Sequence, residues 1–201
     1  MQLLTAWRDG NERAGGRLVE RHYAAVERFF VHKVADEAAA DLIQRTFLNL
    51  VEARERIRED ANFRAYLLGI ARNLLFNYFR RYRRDAERLD FARVSSADLA
   101  PSAPSLIAQN QESRLLFEAL RRIPLDFQVV LELYYWENLK ARELASILEI
   151  PEGTARTRIR RAKILLEREI ESMAGSPSLL RSTVSNLDQW AMQLRALHKQ
   201  R

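Results

Sequence analysis

The segment 140–168, KARELASILEI-PEGTARTRIRRAKILLER, constrains the fold more than any other part of the chain. Its first half places apolar residues on one face of a short helix, and Ile150 and Pro151 interrupt that period. From Thr154 a second helix is predicted, because apolar residues recur at the i, i+4, i+7 and i+11 positions of a buried face. These residues are Ala155, Ile159, Ala162 and Leu166. The pattern predicts two short helices joined by a tight turn.

The second of these helices carries concentrated positive charge. Its cations are Arg156, Arg158, Arg160, Arg161 and Lys163, and no acidic residue lies among them. Solvated helix faces usually mix the two signs of charge. A helix-turn-helix with a cationic second helix suits docking in the major groove of DNA. The segment therefore predicts nucleic-acid binding.

Composition excludes several classes of site. The 201 residues include no cysteine, so disulfides, thiolate zinc sites and thiol nucleophiles are excluded, and the three histidines are scattered. No P-loop, paired-carboxylate or metal-ligand pattern stands out, so we expect neither catalysis nor a cofactor. No apolar run approaches bilayer length and the N-terminus lacks a signal-peptide pattern, so we expect a cytoplasmic protein without membrane insertion.

Apolar periodicity predicts an all-α protein of two small helical domains joined by a flexible linker. Only six glycines and five prolines interrupt the helical pattern, while segment 95–105, SSADLAPSAPS, has no period. We predict a first domain at 1–92, a linker at 93–110, a helix-turn-helix domain at 111–174 and a C-terminal extension at 175–201. The extension carries an apolar stripe formed by Leu187, Trp190, Ala191, Leu194 and Leu197. It is expected either to pack on the second domain or to regulate the protein.

Three segments together resemble the extracytoplasmic-function (group IV) sigma factors of bacterial RNA polymerase. They are DLIQRTFLNL at 41–50, FRAYLLGIARNLLFNYFRRYRR at 63–84 and IPEGTARTRIRRAK at 150–163. The resemblance covers roughly residues 1–173. It implies a factor that binds core RNA polymerase and promoter DNA and directs transcription initiation, with an anti-sigma factor as a further candidate partner.

The resemblance also implies a surface for core polymerase on the helix that contains 41–50. Asp41, Gln44 and Leu48 are the implied contacts. They lie off the buried face that Ile43, Phe47 and Val51 are expected to form. Arg45 departs from the family, which often has an acidic residue at that position.

Two DNA surfaces are implied by the same resemblance. The loop 57–62 and the following helix match the reader of the −10 element, where Tyr66 and Asn73 would hold a flipped base by stacking and by an amide contact. The implied −10 contacts are Asn62, Tyr66, Arg72, Asn73, Arg80, Arg81, Arg83 and Arg84. The implied −35 contacts are Thr154, Arg156, Thr157, Arg160, Arg161 and Lys163.

Glu149 stands at a turn position that the family usually gives to glycine. Either the turn avoids the left-handed conformation or it carries strain of about 1–2 kcal/mol. Two other functions remain as alternatives: a helix-turn-helix regulator that acts without polymerase, and an enzyme that acts on nucleic acid. The regulator explains the second domain equally well but leaves segments 41–50 and 63–84 without a role.

Overall fold

The computed structural model describes residues 2–30, 33–57, 62–82, 90–99 and 111–173. Within these ranges the regular secondary structure is α-helical, apart from a short 3-10 turn at Arg54–Arg56 and an isolated antiparallel bridge between Ser95 and Pro124. This confirms the all-α fold class. The helices are α1 (Gln2–Arg8), α2 (Glu12–Phe30), α3 (Asp36–Glu52), α4 (Phe63–Tyr82), α5 (Ser96–Leu99), α6 (Gln111–Arg122), α7 (Leu125–Tyr135), α8 (Ala141–Leu148) and α9 (Glu152–Met173).

The first domain is built from α1 to α4. Helices α2, α3 and α4 pack on one another, and α1 covers α2. Apolar residues at helical spacing form the shared core, and each fully buried side chain of this kind stabilises the fold by roughly 1.5–3 kcal/mol. The most deeply buried include Val26, Phe30, Leu50, Leu67 and Leu75.

The buried face predicted for α3 is wrong at Val51. Ile43 is buried, Phe47 is half-buried and Val51 is 44% exposed. At 3.6 residues per turn, each step of four residues rotates the side chain by roughly 40°, so positions i, i+4 and i+8 drift off the core. The core side of α3 is continued by Thr46 and Leu50 instead.

The prediction of a flexible linker at 93–110 is wrong for residues 93–99. Ser95 caps the short helix α5, because its hydroxyl accepts the Asp98 N–H at 3.2 Å and donates to the Asp98 carboxylate at 2.6 Å. Leu99 is buried, and the Val94 carbonyl accepts a hydrogen bond from Leu125 N–H at 2.9 Å. The segment is therefore folded onto the second domain; 100–110 lie outside the described residues.

The second domain contains α6 to α9 and ends in the predicted helix-turn-helix. Pro124 lies between α6 and α7. Glu149 follows the last residue of α8, and its backbone lies in the left-handed region, with φ 54° and ψ 44°. Of the two conformations expected for this turn, the structure therefore has the strained one. Helix α9 begins at Glu152, two residues before the predicted Thr154, because Pro151 supplies a carbonyl for the first helical turn through Ala155 N–H at 3.0 Å.

The two domains are in contact: α4 of the first packs against α8 of the second. The C-terminal extension, including the predicted stripe from Leu187 to Leu197, lies outside the described residues. The two domain cores, the α4–α8 contact and the turn at Glu149 set the positions of all the functional side chains considered below.

Candidate nucleic-acid interface

Helix α9 presents a polar, cationic outer face. Its buried side is formed by Ala155, Ile159, Ala162, Leu166 and Ile170, which pack against α6, α7 and α8. The opposite side exposes four of the predicted −35 residues near the start of the helix. These are Thr154, Arg156, Thr157 and Arg160.

The predicted −35 residues of α9 differ in what their side chains contact. Arg156 donates to the Glu152 carboxylate at 2.6 Å, one helical turn earlier, so this cation is not unopposed as the sequence suggested. Arg161 is exposed, with its guanidinium 5.4 Å from the ring centroid of Phe127 in α7.

Lys163 is also directed toward α7. It is half-buried, and its ammonium lies 5.1 Å from the ring centroid of Tyr134 and 5.1 Å from that of Tyr135. Both aromatic contacts are in the range of cation–π interactions. Lys163 is therefore the predicted −35 residue that lies furthest from the exposed group at the start of α9.

The predicted −10 residues Tyr66 and Asn73 line one cleft. Its volume is ≈ 720 Å³, and α4 forms one wall while α8 forms the other. Asn62 also lines this cleft, but its side chain caps α4: its carbonyl oxygen accepts from Ala65 N–H at 3.1 Å, and its amide donates to Glu143. The periodicity of α4 thus brings the aromatic ring and the amide to a single concave surface.

The arginines predicted to hold the −10 strand have different surroundings. Arg72 donates to the Asp126 carboxylate at 3.3 Å and lies over the Phe76 ring at 4.3 Å. Burial lowers the pKa of Arg72, and the charge of Asp126 opposes that shift.

Arg80 donates to Asn77 at 3.2 Å, while Arg81 is exposed. Arg83 and Arg84 lie outside the described residues.

Helix α3 exposes Asp41, Gln44 and Leu48, the residues predicted to contact polymerase. Asp41 accepts a charged hydrogen bond from Arg45 at 3.0 Å, and Leu48 is 56% exposed. Tyr23 of α2 is also exposed and stacks on Phe47 with 6.0 Å between ring centroids. An exposed apolar surface therefore crosses α2 and α3, formed by Tyr23, Phe47, Leu48 and Val51. The periodicity of α3 alone did not reveal it.

The sequence did not predict a set of charged contacts between the domains. Glu137 of the second domain accepts from Arg28 at 3.0 Å and also from Arg64. Lys33 of the first domain donates to Glu132 of α7, and both side chains are buried. The available signal was Glu132 itself, a carboxylate within the apolar helix LDFQVVLELYY, which requires a partner when buried.

The described part of the chain offers neither a metal site nor a membrane-spanning helix. No cluster of three or more histidine or acidic side chains there could hold a metal ion. None of the helices described there combines the length and apolar character needed to cross a bilayer.

Family models match both domains. Sigma-70 region 2 matches residues 18–85, and Sigma-70 region 4 matches residues 113–166. These ranges contain the α4 cleft and the α9 face. The chain is a sigma factor of the extracytoplasmic-function group. Sigma factors direct promoter recognition by RNA polymerase, so the helix-turn-helix and the α4 cleft belong to a transcription initiation factor.

Relatives in sequence are themselves sigma factors. A probable RNA polymerase sigma factor RfaY of Xanthomonas campestris pv. campestris is 29% identical over 165 residues, 80% of this chain. The chain spans 41% of the length of that protein. The ECF RNA polymerase sigma-E factor of Haemophilus influenzae is 26% identical over 181 residues, which cover 85% of this sigma factor and 95% of the relative.

Solved structures share the fold. CnrH in complex with the cytosolic domain of CnrY has a TM-score of 0.62 and 24% identity, over 86% of this chain and 97% of that one. The sigma factor RpoE of Bartonella quintana, in complex with the anti-sigma factor NepR, also has a TM-score of 0.62, with 17% identity over 79% and 98% of the two chains. At these identities the likeness concerns the fold.

Proposed function

We propose that three surfaces of this sigma factor divide promoter recognition among them. The apolar surface of α2 and α3 binds core RNA polymerase. The α4 cleft captures a base of the −10 element, and the outer face of α9 reads the −35 element. The observation that carries the proposal is the exposed group at the start of α9, where Arg156 and Arg160 project from a helix-turn-helix.

The −35 surface has the chemistry for reading duplex DNA. The planar guanidinium of arginine binds the O6 and N7 acceptors of guanine together, which an ammonium cannot do with two parallel hydrogen bonds. Thr154 and Thr157 add hydroxyls for bases or phosphates. Arg161, beside Phe127, supplies a phosphate contact at the edge of the same surface, whereas Lys163 supports the helix against α7.

The −10 surface has the chemistry for holding an extruded base. A flipped base is bound by stacking on an aromatic ring and by hydrogen bonds to its polar edge. Tyr66 offers the ring and Asn73 the amide. Arg72, Arg80 and Arg81 hold the phosphates, which fixes the position of the strand without specifying its sequence; Arg83 and Arg84 extend this cationic run.

The polymerase surface is apolar at its centre and charged at its edge. Leu48 and Tyr23 supply exposed apolar area of the kind that binds a protein partner, and Asp41 and Gln44 supply polar contacts beside it. An anti-sigma factor is a further proposed partner, since the RpoE structure of the same fold holds one. The factor would act without catalysis and in the cytoplasm, where its polymerase works.

Run-off transcription with core polymerase on a genomic promoter pool tests the proposal. We expect initiation at a defined set of promoters only when this chain is added. Arg156→Ala and Arg160→Ala should reduce binding to matched −35 duplexes by about 1–3 kcal/mol each but leave scrambled duplexes less affected. Arg168→Ala removes the same charge from an exposed site further along α9 and serves as the control. Equal losses in all three variants would assign these arginines to non-specific attraction.

Capture of the −10 base requires a separate measurement. Tyr66→Ala and Asn73→Ala should impair promoter melting, monitored by permanganate footprinting, while core polymerase still binds in a pull-down. Leu48→Asp should instead abolish polymerase binding, and melting with it, because a charge replaces apolar contact area. Normal melting with both α4 variants would remove these residues from the −10 site.

A further inference from the structure

Helix α2 carries a row of arginines on its exposed side. Arg13, Arg17 and Arg21 follow one another at intervals of four residues, and all three are exposed. This spacing places them on one side of the helix, with consecutive members about 6 Å apart along the helix axis. Like charges four residues apart repel each other and destabilise a helix. This arginine row therefore weakens α2 unless a group of opposite charge lies against it.

The described residues do not supply that opposite charge. Other exposed arginines pair with an acidic side chain within four positions in sequence, as Arg45, Arg93 and Arg156 do. The arginine row forms no hydrogen bond or salt bridge with any described residue, although Glu20 lies three positions after Arg17. The row thus presents three cations that a negatively charged ligand can bind.

The arginine row leads to the start of α4. Arg28 continues it along α2, seven positions after Arg21 and therefore on the same side of the helix. The Glu137 carboxylate accepts hydrogen bonds from both Arg28 and Arg64, so these arginines of α2 and α4 lie close together. Arg64 is followed directly by Ala65, which lines the α4 cleft. The row therefore adjoins the cleft at the N-terminal end of α4.

The connection between the domains indicates which end of the cleft this is on a promoter. The chain leaves α4 at its C-terminal end, after Tyr82, and continues into the second domain. That domain carries the proposed −35 surface, and the −35 element lies upstream of the −10 element. The C-terminal end of α4 is therefore the upstream end, and the arginine row lies at the downstream end.

The arginine row does not overlap the surface proposed for core polymerase. Tyr23 lies two residues after Arg21, which is a rotation of roughly 200° around the helix. Tyr23 stacks on Phe47 of α3, whereas the row continues toward α4. Polymerase bound to α2 and α3 would leave the row open to a strand of DNA that emerges from the cleft.

We propose that the arginine row of α2 binds the sugar-phosphate backbone of the non-template strand just downstream of the −10 element. This inference rests on the function proposed above for α4. A strand that leaves the cleft along α2 meets one guanidinium at each turn of the helix. Each contact with a phosphate releases counterions from the strand and carries no sequence information. The row therefore holds the separated strand away from its complement, whatever its bases are.

Two forked DNA probes isolate the contribution of the downstream strand. Both contain the −35 and −10 elements of one promoter recovered by run-off transcription, and in both the template strand stops at the upstream edge of the −10 element. In the short fork the non-template strand ends with the −10 element, and in the long fork it continues as a run of thymidines. Holoenzyme formed from core polymerase and the full chain is titrated with each fork. The ratio of the two affinities measures what the downstream strand adds.

The row variant combines Arg13→Gln, Arg17→Gln and Arg21→Gln. We expect the wild type to bind the long fork roughly tenfold more tightly than the short fork at low salt. The row variant should lose this advantage and bind the short fork as the wild type does. The matched control removes three exposed arginines from the second domain and should keep the advantage. Its substitutions are Arg114→Gln, Arg122→Gln and Arg168→Gln.

The salt dependence of binding tests whether the ligand is phosphate. Three contacts with a single strand should add about 2 to the slope of log affinity against log salt concentration, and Arg17→Gln alone should remove about 0.7 of it. A downstream extension with uncharged methylphosphonate linkages should give the wild type no advantage over the short fork. Melting temperatures check the fold: the row variant should be at least as stable as the wild type, because glutamine suits a helix and the repulsion is gone. Arg17→Gln repeats the test with a single substitution.

An equal advantage of the long fork in the row variant and the wild type would overturn the proposal. Failure of the row variant to retain core polymerase in a pull-down would also overturn it, because the row would then contact protein and not DNA. A wild-type holoenzyme that does not prefer the −10 element over a scrambled sequence in the short fork would refute the function of α4, and the role of the row with it. Preference for the −10 element without any gain from the long fork would refute only the role of the row.

Discussion

Glu132 of the second domain accepts a hydrogen bond from the ammonium of Lys33 in the first, and neither side chain reaches solvent appreciably. Burial lowers the pKa of Lys33 and raises the pKa of Glu132, while the attraction between the two charges opposes both shifts. The Phe29 carbonyl also accepts from Lys33, and Gln128 donates to Glu132 at 2.9 Å. The pair is therefore part of a buried hydrogen-bonded network that joins the two domains.

Removing one member of this pair should be more harmful than removing both. Lys33→Met leaves the Glu132 carboxylate buried without its counter-charge, which costs about 3–5 kcal/mol, whereas Lys33→Met with Glu132→Leu replaces the pair by apolar groups at little net cost. Urea unfolding followed by circular dichroism measures both. Equal destabilisation by the single and double variants would show that Lys33 stabilises through its own contacts and not through Glu132.

The sequence predicted the surfaces that depend on one helix. Tyr66 and Asn73 are seven positions apart, so the period of α4 alone places them on one side, and the structure brings them to one cleft. The predicted start of α9 was two residues too late. Pro151 interrupts the apolar pattern, but its carbonyl still accepts a hydrogen bond from the first helical turn.

Contacts between distant parts of the chain could not be predicted in this way. Glu132 signalled that some partner was needed, but Lys33 is separated from it by 99 positions, and no local pattern relates the two. The segment around Ser95 was predicted to be flexible from its Ser, Ala and Pro content. Its order comes from a cap with Asp98 and from a backbone hydrogen bond to Leu125, which depends on where the second domain lies.

Glu149→Gly should stabilise the helix-turn-helix. Glu149 has φ 54°, a conformation that is unfavourable for a residue with a Cβ and unstrained for glycine. Glycine loses more conformational entropy on folding, and this loss offsets part of the relieved strain. We therefore expect a net gain of about 0.5–1 kcal/mol in the free energy of unfolding. Asn138→Gly is the control: Asn138 has φ 51°, but asparagine tolerates this region, so the gain there should be smaller. A loss of stability in Glu149→Gly would mean that the glutamate side chain stabilises the turn by more than the strain.

Two neighbouring glycines in α2 should respond in opposite directions to alanine. A Cβ at Gly15 would lie 2.5 Å from Nε1 of the Trp7 side chain, so Gly15→Ala should force α1 away from α2 and cost about 1–3 kcal/mol. A Cβ at Gly16 meets nothing within 4 Å, so Gly16→Ala should stabilise the helix by about 0.5–1 kcal/mol. Thermal unfolding monitored by the fluorescence of Trp7 and the other indoles compares them. Similar melting temperatures would show that the α1–α2 contact adapts without loss.

Stability should fall in mild acid because of His22. Burial, together with the nearby positive charges of Arg64 and Arg21, lowers the pKa of His22 from 6.5 to about 4. Between these two values the unfolded chain binds a proton that the folded chain does not, so the free energy of unfolding decreases as pH falls from about 6.5 to 4. His22→Phe keeps a ring against Phe63, which lies 5.1 Å from the His22 ring, and removes the titration. The variant should lose less stability than the wild type over this range, and parallel pH profiles would exclude His22 as the cause.

Glu152 should restrain Arg156 from binding DNA. The guanidinium of Arg156 donates to the Glu152 carboxylate at 2.6 Å on an exposed part of α9, so a base contact has to replace this hydrogen bond. Glu152→Gln weakens the restraint at a small cost in helix stability, about 0.3–1 kcal/mol, since an acidic residue in the first turn favours the helix dipole. We therefore expect tighter binding to a −35 duplex and a lower melting temperature in the same variant.

The two causes of tighter binding, release of Arg156 and loss of a negative charge near phosphates, are separated in an Arg156→Ala background. In that background Glu152→Gln can strengthen DNA binding only through the general attraction between charges. Its gain in affinity should therefore be smaller than in the wild type and should vanish sooner as the salt concentration rises. Fluorescence anisotropy with a labelled duplex at two salt concentrations gives the four affinities of the cycle. An equal gain in both backgrounds would mean that Arg156 does not leave Glu152 for the DNA, and that reading of the −35 element depends on Arg160 and its neighbours instead.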